Sequence, residues 1–184
     1  MKTLISFFFI MMMMLVACTK DQFVPEENLE LKKAKVPIPM KADFCASPAP
    51  DATPMSIPGT QIVLPNKMLV SGNATHMGKV ITEKSICVVN ELNFFNEPDA
   101  DGNPHFFLKQ VGTGVMTAAN GDSYPITWWG KTSLADWTYI GEVTMFSGTG
   151  KFEGMTGTVQ MIGAVDMVAG TNCWKADGFM EYVK

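Results

Sequence analysis

The sequence predicts an all-β protein, a closed antiparallel β-barrel of about eight strands, and three observations carry that expectation. Val, Ile, Thr, Phe, Trp and Gly recur in short runs broken by turn formers. No stretch beyond residue 58 shows sustained apolar spacing at helical period. Around Asn120-Gly121 the chain reads strand, turn, strand, because both residues tolerate the positive φ that matches strand twist. For so many short strands, closing the sheet on itself is the economical way to leave no free edges.

The chain opens with a positive start, Met1-Lys2, and an apolar run, Leu4 to Val16, that holds Met11 to Met14 and ends at Leu15-Val16-Ala17-Cys18. The run is too short to cross about 30 Å of hydrocarbon, so it reads as an export signal over 1–17. Its ending resembles the lipobox of bacterial lipoproteins, which implies lipidation at Cys18 and attachment to the outer membrane, on its periplasmic side or at the cell surface. The pair Lys20-Asp21 is similar to the surface-export signals of Bacteroidota lipoproteins, without their second acidic residue. Residues 18–58, rich in Pro, Lys, Glu, Ala and Ser, read as a lipid-anchored flexible tether. The remainder, 59–184, is one domain's worth of chain. Its expected strands are Gln61–Val70, Thr75–Val89 (long enough for a bulge), His105–Ala118, Ser123–Lys131, Trp137–Ser147, Gly154–Val165 and Cys173–Val183.

The chain carries a net charge of −4, and all its 14 basic residues are lysines. Phosphate tracking and base readout lean on arginine, so nucleic acid is not an expected partner. The stretch Gly148-Thr149-Gly150-Lys151-Phe152-Glu153-Gly154-Met155-Thr156-Gly157 invites a phosphate-loop reading, but Phe152 stands where Ser or Thr would be needed, and β-type residues follow instead of a helix. It reads as a sheet corner, with Phe152 folding back as an apolar plug and Gly154 and Gly157 letting the next strand bend.

That stretch resembles the Gly-Thr/Ser-Gly-x-Phe motif, with a later Gly, of the allene oxide cyclase-like and dirigent-like barrels. Gly112-Thr113-Gly114-Val115-Met116-Thr117-Ala118-Ala119-Asn120-Gly121-Asp122 is similar to the preceding hairpin of secreted bacterial members, and Ala74-Thr75-His76-Met77-Gly78-Lys79 to their early strand. The resemblance implies an eight-stranded, lipocalin-shaped barrel whose lumen holds a small apolar molecule in some relatives. Relatives often assemble, which makes a homo-oligomer a candidate state. No catalytic residue and no cofactor carries over, since the plant enzymes' site positions find no match here.

Cys45, Cys87 and Cys173 remain after Cys18, an odd number in a compartment that permits disulfides. The expected pair is Cys87 with Cys173, both on predicted strands; the alternative, in which Cys45 clamps the tether to the barrel, stays open. His76 and His105 lie far apart with no metal-type spacing, so no metal site is expected, and His76 is read as a hydrogen-bonded structural residue within a strand. Asp99, Asp101 and Asn103 alternate like a calcium loop, but Gly102 comes two places early and Gln110 occupies the place of the bidentate Glu, so a hairpin loop is the better reading. Glu142 and Glu153 read as surface carboxylates, and Asn73-Ala74-Thr75 as a chance glycan match. Strand alternation sends Trp128 and Trp129 to opposite faces. Trp128, Tyr139 and Trp174 are the candidate ligand contacts. Three functions follow: a barrel that binds a small apolar or amphipathic molecule at the cell envelope, a solid barrel serving as an interaction module, or a cyclase- or isomerase-like enzyme working in the lumen.

Overall fold

The computed structural model describes residues 36–57, 59–98 and 101–182, all within one compact unit, Lys33–Lys184. The expected export segment, Cys18 and the part of the expected tether up to residue 35 lie outside the described residues. From β6 (Ile86–Pro98) the chain runs as a meander through β7 (Pro104–Thr117), β8 (Ser123–Ser133), β9 (Thr138–Met145), β10 (Met155–Asp166) and β11 (Thr171–Tyr182), each strand antiparallel to the one before. β1 (Val36–Pro48) pairs with β11 on one side and with β4 (Lys67–Ala74) on the other, and β4 pairs with β6. The ring of eight strands is therefore closed, as the sequence predicts. β2 (Pro54–Ser56) and β3 (Val63–Pro65) form a separate hairpin, and β5 (Gly78–Lys79) flanks the end of β4.

The first correction concerns β1. Residues 36–48, expected in a flexible tether, are a strand of the barrel, so the boundary at 58/59 does not hold. Alternation explains it: Met40, Ala42, Phe44 and Ala46 are buried, while Lys41 and Asp43 are exposed. The prolines conceal this pattern without breaking the strand. The Lys41 N–H points toward the β4 side, where it donates to Thr75 Oγ1 at 2.9 Å. Pro37 and Pro39 share its parity, and β4 pairing starts only at Ala42, so their missing N–H groups leave no ladder bond unmade.

The second correction is the disulfide. Cys45, not Cys87, bonds Cys173, as in the open alternative in which Cys45 is clamped to the barrel, and Cys87 is a buried free thiol. Cys45 and Cys173 are direct partners in the β1–β11 register, with Cα atoms 4.0 Å apart. Cys87 points the other way, into the lumen, and so cannot reach an outward-facing cysteine.

Other boundaries shift for local reasons. The expected strand Gln61–Val70 breaks at Asn66, which bonds Thr53 through both its backbone and its side chain. The expected strand Thr75–Val89 is divided by a turn at His76 and a 3-10 turn at Thr82–Lys84. His76 is thus exposed in a turn at φ 65°, not in a strand, although its ring does bond the Pro39 carbonyl at 3.3 Å. β6 runs on to Pro98 after a bulge between Val89 and Glu91, which takes most of the expected loop before His105 into a long hairpin. At Asn120-Gly121 only Gly121 has positive φ, 90°. The Gly121 N–H donates to the Ala118 carbonyl at 2.9 Å, so the loop has three residues, a turn followed by one left-handed glycine.

The short β4–β6 seam, Lys67–Leu69 against Ile86–Val88, is reinforced by Ser85, whose carbonyl accepts the Val70 N–H at 2.8 Å. Its fully buried hydroxyl accepts the Thr117 N–H at 3.1 Å, and the Thr117 hydroxyl donates to the Lys84 carbonyl at 2.9 Å. The Cys45–Cys173 bond, spanning 128 residues of sequence, does the same for the β1–β11 seam. A loop of that length removes much unfolded-state entropy, so the Cys45→Ser/Cys173→Ser double variant is expected to lose about 2–5 kcal/mol, read as a lower urea midpoint. An unchanged midpoint would show that the strand pairing closes the ring unaided.

Candidate functional site

One end of the barrel is sealed and the other is open. The Gly148–Gly157 segment forms the seal: a 3-10 turn at Gly150–Phe152 tucks Phe152 inside at 0 % exposure, edge-on to Tyr124 with ring centroids 4.9 Å apart. Gly148 is needed there, because a Cβ would lie 2.0 Å from the Ser123 carbonyl oxygen. Met145, Met155 and Met180 complete the floor, and the Tyr124 hydroxyl donates to Met77 Sδ at 3.0 Å. The stretch is the expected corner and plug.

Above this floor lies a cavity of about 210 Å³. Trp128, Tyr139 and Trp174 all line it, and Phe44 from β1 joins them, with its ring 6.2 Å from that of Trp174. Glycines position these rings. Gly112 is the register partner of Trp128, and a Cβ on it would lie 2.6 Å from the indole. A Cβ on Gly130 would lie 2.3 Å from the Tyr139 ring. The large side chains therefore lie against bare backbone, and the space that two facing side chains would fill stays open. Trp129, as alternation predicts, is absent from the lumen wall, and Lys109 Nζ sits 5.8 Å above its ring.

At the far end, Ile62 to Pro65 of the β2–β3 hairpin, Trp137 and Met167 reach the cavity. Val63 is 55 % exposed and Met167 42 %, so this end communicates with solvent. Trp137 has φ 60°, an outlier for a bulky residue, held by its N–H donating to the Ser133 carbonyl at 3.0 Å and its carbonyl accepting the Val165 N–H at 2.9 Å. Nothing in the sequence around Asp136-Trp137 marks that conformation.

No Asp, Glu, Lys or His is among the described residues lining the cavity. Its titratable groups are Cys87, Tyr124 and Tyr139. Burial pushes the Cys87 thiol from 9.0 up to about 12. Burial likewise raises Tyr124 and Tyr139. All three stay protonated near neutrality, so the wall offers apolar contact and uncharged hydrogen-bonding groups. The remaining candidates sit elsewhere. His105 bonds Ser133 Oγ at 2.8 Å and stacks on Phe107; Glu142 accepts from Gln160 on the outer wall; Glu153 is exposed. Among the described residues no group of His, Cys, Asp and Glu could hold a metal ion.

A barrel closed by eight antiparallel strands around an uncharged, partly open lumen is the class that the fold and site define. No family model and no curated protein matches the sequence. Among solved structures, a pterocarpan synthase dirigent protein matches with 15% identity over 83% of this chain and 93% of that one, at a TM-score of 0.44. So slight a likeness carries nothing about activity; the barrel is defined by its strand pairing.

The raised thiol and phenols make stability pH-dependent. Above pH 9 the unfolded chain releases the Cys87 proton and the folded chain keeps it, so the folded state binds more protons and stability falls as pH rises. The slope reaches about 1.4 kcal/mol per pH unit from this group, with the tyrosines adding above their ordinary 10.0. Urea unfolding between pH 8.5 and 10 should therefore fall less steeply for Cys87→Ala than for the parent. Parallel curves would mean that the thiol is not desolvated.

Proposed function

We propose that this chain is a binding protein whose barrel holds a small apolar or amphipathic molecule in its lumen, while a lipid on Cys18 keeps the barrel at a membrane. The observation that carries the binding reading is the cavity itself, about 210 Å³, with aromatic and aliphatic walls, one sealed end and one end open to solvent. An eight-stranded barrel is just wide enough to be filled by its own side chains or to hold one ligand, and the inward glycines support the second reading. A concave apolar site with a few uncharged polar groups is the usual form of a small-molecule site. The lipobox-like ending at Leu15–Cys18 supports the anchor, and attachment at a membrane would place the barrel where apolar molecules concentrate.

The test is titration with the neutral apolar fluorophore N-phenyl-1-naphthylamine. Because Trp128, Trp137 and Trp174 line the cavity, binding should be saturable and should quench intrinsic tryptophan emission. Val143→Phe and Ala176→Leu, both pointing into the cavity, should abolish it while costing little stability; in a filled core such enlargement costs about 1–3 kcal/mol. No saturable binding, or a large stability loss in both variants, would contradict an open lumen.

A further inference from the structure

The exposed apolar side chains of the barrel gather at its open end. Val63 on the β2–β3 hairpin, Phe94 and Phe106 on the β6–β7 hairpin, and Met167 and Val168 in the turn between β10 and β11 are five of the ten exposed large hydrophobics among the described residues. Val63 and Met167 line the mouth of the cavity. Phe94 is the register partner of Leu108, which lines the cavity, and Phe106 is the next position of β7 with the parity of Leu108. Because β8 ends opposite Phe107, this pair continues the inner face of the wall past the mouth, its rings stacked with centroids 5.5 Å apart. Hairpin tips are ordinarily built from polar turn formers. The β10–β11 tip instead reads Met167-Val168-Ala169-Gly170, every residue exposed and Val168 completely so. Asp166 Oδ1 accepts the Val168 and Ala169 N–H groups, each at 2.9 Å, so the tip can leave water without stranding those two donors.

We propose that this apolar rim enters the outer layer of a lipid bilayer, so that the lumen opens onto acyl chains and its ligand passes between the two without crossing water. This rests on the anchor and binding readings above. The length of chain between anchor and barrel permits it. β1 begins at the sealed end, where Val36 pairs with Tyr182 and Tyr182 with Met155 of the floor, and its 13 residues cover about 40 Å. Residues 18–35 reach about 60 Å at full extension, enough for a lipid on Cys18 and the mouth to meet one bilayer face. Anchoring also holds the bilayer at high effective concentration around the rim, so modest apolar contacts suffice. A bilayer suits three separate tips because it deforms around each of them. A rigid partner would have to match all three while plugging the mouth.

The experiment uses the protein isolated from cells, with lipid on Cys18 read by mass spectrometry, and reconstituted on phosphatidylcholine vesicles. The environment-sensitive fluorophore NBD is attached at Val168→Cys, at Phe106→Cys and, as a control at the sealed end, at the exposed Lys151→Cys. Cys87 is buried and Cys45 and Cys173 are bonded to each other, so the labels are specific. Emission from 168 and 106 should shift to the blue on vesicles and be quenched by lipid carrying a nitroxide on its acyl chain, while 151 stays unshifted. Lipidated protein whose two tip labels remain in water, or whose label at 151 shifts as much as theirs, overturns the rim inference and leaves the anchor reading standing. A blue shift that appears without vesicles and grows with protein concentration shows a second copy covering the rim, and overturns the inference as well. Absence of lipid on Cys18 overturns the anchor reading and this inference with it.

Discussion

The lumen depends on β1. The meander from β6 to β11 is a curved sheet with two ends, and β4 extends only one of them. Insertion of Val36–Pro48 between β11 and β4 turns those ends into a seam on each side of a single strand. It also supplies wall: Met40, Phe44 and Ala46 face the cavity. Without this strand the rows of N–H and C=O groups on β11 and β4 would face solvent or another chain, and the apolar face would open to water. The disulfide at Cys45 and Cys173 braces the ring at its β1–β11 seam, and the bond from the Val70 N–H to the Ser85 carbonyl does so at the β4–β6 seam.

Closure explains why a cavity exists at all, and the inward glycines explain why it is open. In a ring of eight strands, alternating large side chains would meet across the axis and fill it. Here Gly130 faces Gly141 across the β8–β9 ladder, and Gly163 stands beside both Tyr139 and Trp174. The aromatic rings take the space that Cβ atoms would have occupied, lie along the wall, and leave the axis free. Phe152 and the methionines then fill only the floor. The same glycines that look like strand breakers in the sequence are thus the residues that shape the site.

How much of this was legible beforehand follows the physics of each signal. Strand periodicity and the Asn-Gly turn depend on neighbouring residues, so β7 to β11 were placed to within a few residues, and the corner at Gly148–Gly157 was read correctly with its plug. The inward positions of Trp128, Tyr139 and Trp174 follow from alternation once a strand is granted. β1 was missed because Pro37, Pro39, Lys41 and Asp43, all facing outward, dominate its composition and hide the alternation of Met40, Ala42, Phe44 and Ala46. The disulfide stays open between two alternatives in the sequence for the same reason, since Cys45 is not beside Cys173 until β1 is a strand. Trp137 gave no local signal: its positive φ is a property of the closed ring.

The measurement that bears most directly on an open lumen is a crystal structure determined under xenon pressure. Xenon is expected in the cavity bounded by Trp128, Tyr139, Met161 and Trp174, with those side chains unmoved. A lumen that excludes xenon because side chains have collapsed across the axis would contradict the account and leave a solid barrel whose working surface is its outer wall.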